Sequence, residues 1–212
     1  MTQYWEESKK DIFEVSYKVQ LRDEITPEWD DLVYYIRRHR VYAAQELVKL
    51  LPKSKKFRGG EKFRPTGENC LHICAEYNEL EMFRWFVEEY AADINHVNDA
   101  GETPLMLAAR EGKLEMVKLI LELGREDKFF KVDQKMQDGW TALAYAAMNG
   151  FSDVVIYLSK NGAKVDTYDK SHRSPFHWAA RFNNVKMAKV LLELKCKHVT
   201  TDVDMKTPEQ IA

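Results

Sequence analysis

The run Cys70-Leu-His-Ile-Cys74 sets two thiols and an imidazole at alternate positions, a spacing that could open a zinc site. Structural zinc usually takes four such ligands in paired clusters, and no second pair stands near this one in the sequence. Acidic pairs at Asp30-Asp31 and Glu88-Glu89 would supply acid–base chemistry only by converging on a pocket. Both instead fall in segments expected to be solvated helix faces. No glycine-rich phosphate loop, Gly-x-Ser-x-Gly elbow or His-Glu-x-x-His is present. These residues therefore supply no catalytic constellation, and neither enzymatic activity nor a metal or cofactor is expected of this segment.

The elements that must position any functional residue are bounded by composition. At 212 residues, with 45% hydrophobic and 31% charged residues, the chain is long enough and apolar enough to fold. A formal charge of −2 excludes a generally polyanion-binding molecule. No stretch approaches the roughly 18 apolar residues of a membrane-spanning helix. The start, Met1-Thr-Gln-Tyr-Trp-Glu-Glu, has the layout of neither a signal peptide nor a transit peptide. Three cysteines, Cys70, Cys74 and Cys196, suit a reducing compartment without a disulfide framework. A cytoplasmic protein is expected.

The chain repeats itself. Gly67-Glu-Asn-Cys-Leu-His-Ile-Cys-Ala75, Gly101-Glu-Thr-Pro-Leu-Met-Leu-Ala-Ala109, Gly139-Trp-Thr-Ala-Leu-Ala-Tyr-Ala-Ala147 and His172-Arg-Ser-Pro-Phe-His-Trp-Ala-Ala180 align directly. Their apolar positions Leu71, Leu105, Leu143 and Phe176 lie 34, 38 and 33 residues apart, and Lys206-Thr-Pro-Glu-Gln-Ile-Ala212 opens a further copy. Each segment continues through a polar turn into a second apolar run, as in Gly112-Lys-Leu-Glu-Met-Val-Lys-Leu-Ile-Leu121. Thr103-Pro104, Ser174-Pro175 and Thr207-Pro208 suit helix entrances, where the hydroxyl caps free donors and proline's missing N–H costs nothing. The pairs Ala108-Ala109, Ala146-Ala147 and Ala179-Ala180 leave room for a second helix to pack closely. A two-helix unit cannot bury its apolar face alone, so an all-α solenoid of stacked helix-turn-helix units with hairpin-like loops is predicted.

These motifs resemble the ankyrin repeat family, well over residues 64–212 and weakly over 28–51. The resemblance implies repeats at 64–97, 98–135, 136–168 and 169–201, with a truncated one at 202–212. A degenerate capping repeat and basic loop would fill 28–63, after an N-terminal extension at 1–27. In this register Cys70 takes the proline slot, Cys74 the first alanine slot, and His72 and His177 the slot of the family's structural histidine. A buried scaffold role, rather than zinc, is the expectation for all four. The spacing of 38 places an insertion at Arg125-Glu-Asp-Lys-Phe-Phe-Lys131. The sequence stops inside a first helix, so either further chain or a partner is expected to cover that end. In the extension, Phe13, Val15, Tyr17, Val19 and Leu21 alternate with polar residues like a strand, while Phe13, Tyr17 and Leu21 also suit a helix capped by Ser8. The β-branched and aromatic content favours the strand.

The resemblance further implies protein partners on a concave face of loop tips and first helices. Carried over by position, that face holds Glu68, Glu76 and Tyr77, then Asp99, Glu102, Arg110 and Glu111. Gln137, Trp140, Met148 and Asn149 follow, and then Lys170, Arg173, Arg181 and Phe182. It should be acidic early and basic late, with Trp140 pointing outwards and forming an apolar island with Met148 and Phe182. A separate basic patch spans residues 37–64, where ten Lys/Arg stand against two Asp/Glu, after four against nine in residues 1–31. It comprises Arg37, Arg38, Arg40, Lys53, Lys55, Lys56, Arg58, Lys62 and Arg64. The expected function is an adaptor or architectural subunit of a larger protein assembly. The alternatives are binding of nucleic acid, an acidic tail or an anionic membrane surface through the patch, or an N-terminal regulatory role in a longer enzyme or channel.

Overall fold

A computed structural model describes residues 29–50, 62, 66–197 and 200–211, and among these every regular element is a helix. The chain divides into two units, Met1–Asp93 and Ile94–Ala212. The extension at 1–27, with its strand-or-helix segment at 12–21, lies outside the described residues, as do Lys53, Lys55, Lys56, Arg58 and Arg64 of the basic patch.

The described residues of the first unit form two helical hairpins. Helix α1 (Trp29–Arg37) packs on α2 (Val41–Leu50), and α3 (Cys70–Tyr77) on α4 (Leu80–Tyr90). The hairpins stack like on like, α1 against α3 and α2 against α4. Leu32, Ile36, Ala44 and Val48 of the first hairpin and Leu71, Ile73, Phe83 and Phe86 of the second are all buried. Asn69 caps α3 by accepting from the Leu71 and His72 N–H groups at 3.1 and 3.2 Å. The His72 ring lies 2.7 Å from the same Asn69 oxygen. The imidazole is thus part of a helix cap, between two fully buried thiols. At the α1–α2 turn, His39 pairs with the buried carboxylate of Glu79 from the α3–α4 turn.

The second unit repeats one hairpin three times and begins a fourth: α5 (Pro104–Arg110) with α6 (Leu114–Gly124), α7 (Ala142–Met148) with α8 (Ser152–Lys160), α9 (Pro175–Arg181) with α10 (Val185–Glu193), and then α11 (Pro208–Ile211). First helices stack in the order α5, α7, α9, α11, and second helices in the order α6, α8, α10. The first helices start where Thr103 and Thr141 accept from the N–H groups of Met106 and Ala144, each at 3.3 Å. They are seven residues long and carry alanine where the partner helix crosses: Ala108, Ala109, Ala146, Ala147 and Ala179 are buried. The turn into the second helix needs a left-handed residue. Gly112 has φ of +67°, and a Cβ there would meet the Phe151 ring at 2.5 Å.

Between hairpins the chain makes the same tight turn four times, closed by Gly101 N–H to Asn98, Gly139 N–H to Met136, His172 N–H to Asp169 and Met205 N–H to Asp202, at 2.8 to 3.0 Å. Adjacent turns are joined by Lys170 N–H to Asp138 O at 2.9 Å and Val203 N–H to Ser171 O at 3.1 Å. These hairpin turns therefore tie one repeat to the next through backbone as well as through the core. The insertion at 125–131 is fastened down by Lys131 N–H to Asn95 Oδ1 at 2.9 Å and Arg125 to Asn161 at 2.7 Å, while Phe129 remains 79% exposed.

Cys70, Cys74 and Cys196 are all free and buried. Burial raises the Cys74 thiol well above its ordinary range and, with Asp166 beside it, pushes Cys196 up to about 12. The thiolate is the reactive form, so native protein at pH 8 should take up almost no alkylating reagent, and all three thiols should react in denaturant. Rapid labelling of Cys70 or Cys74 in the folded chain would contradict their placement in the core.

Candidate protein-binding face

The first helices of the second unit present three positions in register: Leu107, Tyr145 and Trp178, each two residues before the second alanine of its pair. One helical turn on, at three and four residues, stand Arg110 and Glu111, Met148 and Asn149, and Arg181 and Phe182, on the same side of each helix. The turns before these helices add Glu102, Trp140 and Arg173 at equivalent positions.

Leu107 is core, but Glu102, Tyr145, Trp140, Trp178 and Phe182 connect in one stripe. Trp140 stacks on Tyr145 with ring centroids 5.1 Å apart and meets Trp178 at 5.0 Å, and Trp178 in turn stacks on Phe182 at 6.2 Å. Two guanidiniums lie over the Trp178 ring, Arg173 at 5.4 Å and Arg181 at 5.9 Å from its centroid. At the other end, Glu102 takes Arg110 at 2.6 Å, Asn98 at 3.1 Å and the Tyr145 hydroxyl at 3.3 Å. Burial, then the nearby Glu102 charge, raises the Tyr145 pKa and keeps its O–H a donor. His177 faces inwards, with Nδ1 2.8 Å from Ser174 Oγ, and burial lowers its pKa so that the ring stays neutral.

Several positions differ from what the sequence led us to expect. Glu102 is not an exposed groove carboxylate: it is only 8% exposed and internally saturated. Trp140 does not project freely but is half-buried between rings of two successive repeats. Asn149 is exposed but donates to the Arg110 carbonyl at 3.0 Å, and Lys170 pairs with Asp138 at 3.1 Å, so both also join neighbouring repeats. Met148 and Arg173 are half-buried, while Asp99, Glu111, Gln137 and Arg181 are exposed and Phe182 is 56% exposed. In the first unit Glu68, Glu76 and Tyr77 are half-buried, with the Arg37 guanidinium 6.0 Å from the Tyr77 ring. Of the basic patch, Arg37, Arg38 and Lys62 are exposed and Arg40 is half-buried.

Tyr145 and Trp178 escaped the sequence reading, although the signal was present. Each precedes a candidate by three or four residues on a predicted helix, so the face that carries Arg181 and Phe182 must carry Trp178 as well. The Glu102 hub gives a direct test. Glu102→Ala leaves Arg110, Asn98 and Tyr145 without their shared acceptor and should lower stability by about 1–2 kcal/mol in urea unfolding. A freely docking carboxylate would instead be silent in that measurement.

Comparison with known proteins follows the same lines. A family model described as ankyrin repeats (3 copies) matches residues 39–131 and 126–202. Neurogenic locus notch homolog protein 1 of Mus musculus is 33% identical over 128 residues, covering 60% of this chain and 5% of that protein. Its Homo sapiens counterpart is 32% identical over the same length, again 60% and 5%. Ankyrin repeat and SAM domain-containing protein 6 of Rattus norvegicus is 31% identical over 172 residues, 78% of this chain and 18% of that protein. The chain thus spans about a twentieth of the notch relatives' length and under a fifth of the other's. The family model covers well over half of the chain, and the threonine-capped first helix with its alanine pair recurs at α5 and α7, so the chain belongs to the ankyrin repeat family.

Proposed function

We propose that this chain is a non-enzymatic protein–protein interaction module, an adaptor or architectural subunit in a larger cytoplasmic assembly. It binds its partner through the aromatic and cationic end of the stripe on the second unit. The observation that carries this reading is the arrangement of Trp178 and Phe182. A half-buried indole is fixed between rings and guanidiniums, and it backs a phenyl ring left 56% exposed. Aromatic and arginine side chains held rigid before association lose little entropy on binding, which makes them strong anchors.

Phe182 contributes area to a partner but little to the fold, because more than half of it is already in water. Phe182→Ala should remain folded and lose no more than about 1 kcal/mol, the stacking on Trp178 included. In affinity purification from native cells with mass spectrometry, it should lose a protein that the parent retains. A protein recovered equally by both, or none enriched by the parent, would remove this face from the interaction.

A further inference from the structure

We infer that the partner presents a carboxylate-rich peptide segment, with an apolar side chain seated on Phe182 and Trp178 and an Asp or Glu paired with Arg181. The inference rests on the face proposed above and names what fits it.

Charge decides the partner's chemistry. Residues 169–197 carry seven Lys/Arg against two Asp/Glu, whereas the rest of the chain carries 25 against 32. The other two arginines that flank the stripe each face a carboxylate: Arg110 pairs with Glu102 at 2.6 Å, as Lys118 on a second helix pairs with Glu115 at 2.7 Å. Even Arg173, the other cation over Trp178, lies 3.7 Å from the buried carboxylate of Asp202. Arg181 has no carboxylate partner among the described residues, is exposed, and has its guanidinium 5.9 Å from the Trp178 ring centroid. A guanidinium resting on an indole face keeps its N–H edge available, and that edge matches a carboxylate in two parallel hydrogen bonds. Phe182 follows Arg181 directly and stacks on the same indole. Cation and apolar anchor are thus presented side by side on one rigid support. An incoming segment that placed Lys or Arg here would meet only like charge, whereas one with Asp or Glu would be steered towards the site.

The test uses the full chain and three blocked peptides in which runs of Glu, Gln or Lys flank a Leu-Phe pair on a Gly/Ser background. Binding is followed by the anisotropy of a label on the peptide. The Glu peptide should bind saturably and more weakly as salt rises; the Lys peptide should not bind. Both Arg181→Glu and Phe182→Ala should weaken the Glu peptide by about tenfold or more, a change of about 1.4 kcal/mol. Lys118→Glu makes the same change in net charge away from the face and should leave affinity unaltered. Equal binding of the Gln peptide, still lost with Phe182→Ala, would overturn the acidic partner and leave the face standing. Binding insensitive to both Arg181→Glu and Phe182→Ala would overturn the face itself. Loss with Lys118→Glu equal to that with Arg181→Glu, or no saturable binding of the Glu peptide, would overturn the inference.

Discussion

Gly139→Ala should lower stability by about 3 kcal/mol, far more than the loss of one hydrogen atom suggests. Gly139 closes the turn before α7 with φ of +85°, a conformation that costs an alanine about 1–2 kcal/mol. A Cβ there would lie 2.8 Å from the Tyr168 carbonyl oxygen and 3.0 Å from the Asp169 Cα, both backbone atoms of the next turn. Backbone cannot swing away as a long side chain can, and forced overpacking costs a further 1–3 kcal/mol or so. The strain falls on the contact between successive turns, where Lys170 N–H meets Asp138 O at 2.9 Å. Gly162→Ala is the control. Its φ is +93°, but nothing lies within 4 Å of the added carbon, so only the conformational cost of about 1–2 kcal/mol should appear in its urea midpoint. Equal losses in the two variants would show that the turns are not in close contact.

Most of the fold can be read from the sequence because each repeat states it again. Thr103-Pro104 and Ser174-Pro175 mark helix starts through local chemistry, the alanine pairs mark the crossing of the second helix, and the spacing of 33 to 38 residues brings equivalent positions into one column. Register assigned Cys70, His72 and Cys74 a buried scaffold role, and all three lie buried in α3; that the His72 ring joins the Asn69 cap was not legible. The partners of side chains across repeats were not legible in the same way. Glu102 reads as one more loop acid until Arg110, eight residues on, and Tyr145, in the next repeat, are seen to converge on it. Lys170 likewise reads as a docking cation until its turn is laid against Asp138. Such pairings depend on the rise and rotation from one repeat to the next. Periodicity fixes which positions share a column, but not which neighbours in it touch.

The same geometry reverses the expected behaviour of Trp140. A side chain projecting freely from a loop could be truncated without thermodynamic consequence, and only a bound partner would register its loss. Trp140 instead lies between Tyr145, with an interplanar angle of 22°, and Trp178, with centroids 5.0 Å apart. Each ring pair contributes about 0.5–1.5 kcal/mol beyond the burial of its area, and large aromatics cost about 3–5 kcal/mol when removed from full burial. For this half-buried indole, Trp140→Ala should lower stability by about 3 kcal/mol. The vacated space lies between two repeats, so both Tyr145 and Trp178 lose a face. Trp140→Phe keeps one aromatic surface and should recover roughly half the loss. Phe182→Ala, at the exposed end of the same row of rings, gives up one ring pair and little burial and should cost about 0.5–1 kcal/mol, well short of the Trp140→Ala loss. Urea unfolding of the three variants beside the parent separates the two roles. Trp140 is a strut that holds Trp178 in place, and Phe182 is the ring left for a partner. A Trp140→Ala protein as stable as the parent would mean that the indole is not part of the inter-repeat packing, and Trp178 would then have to be oriented by Phe182, Arg173 and Arg181.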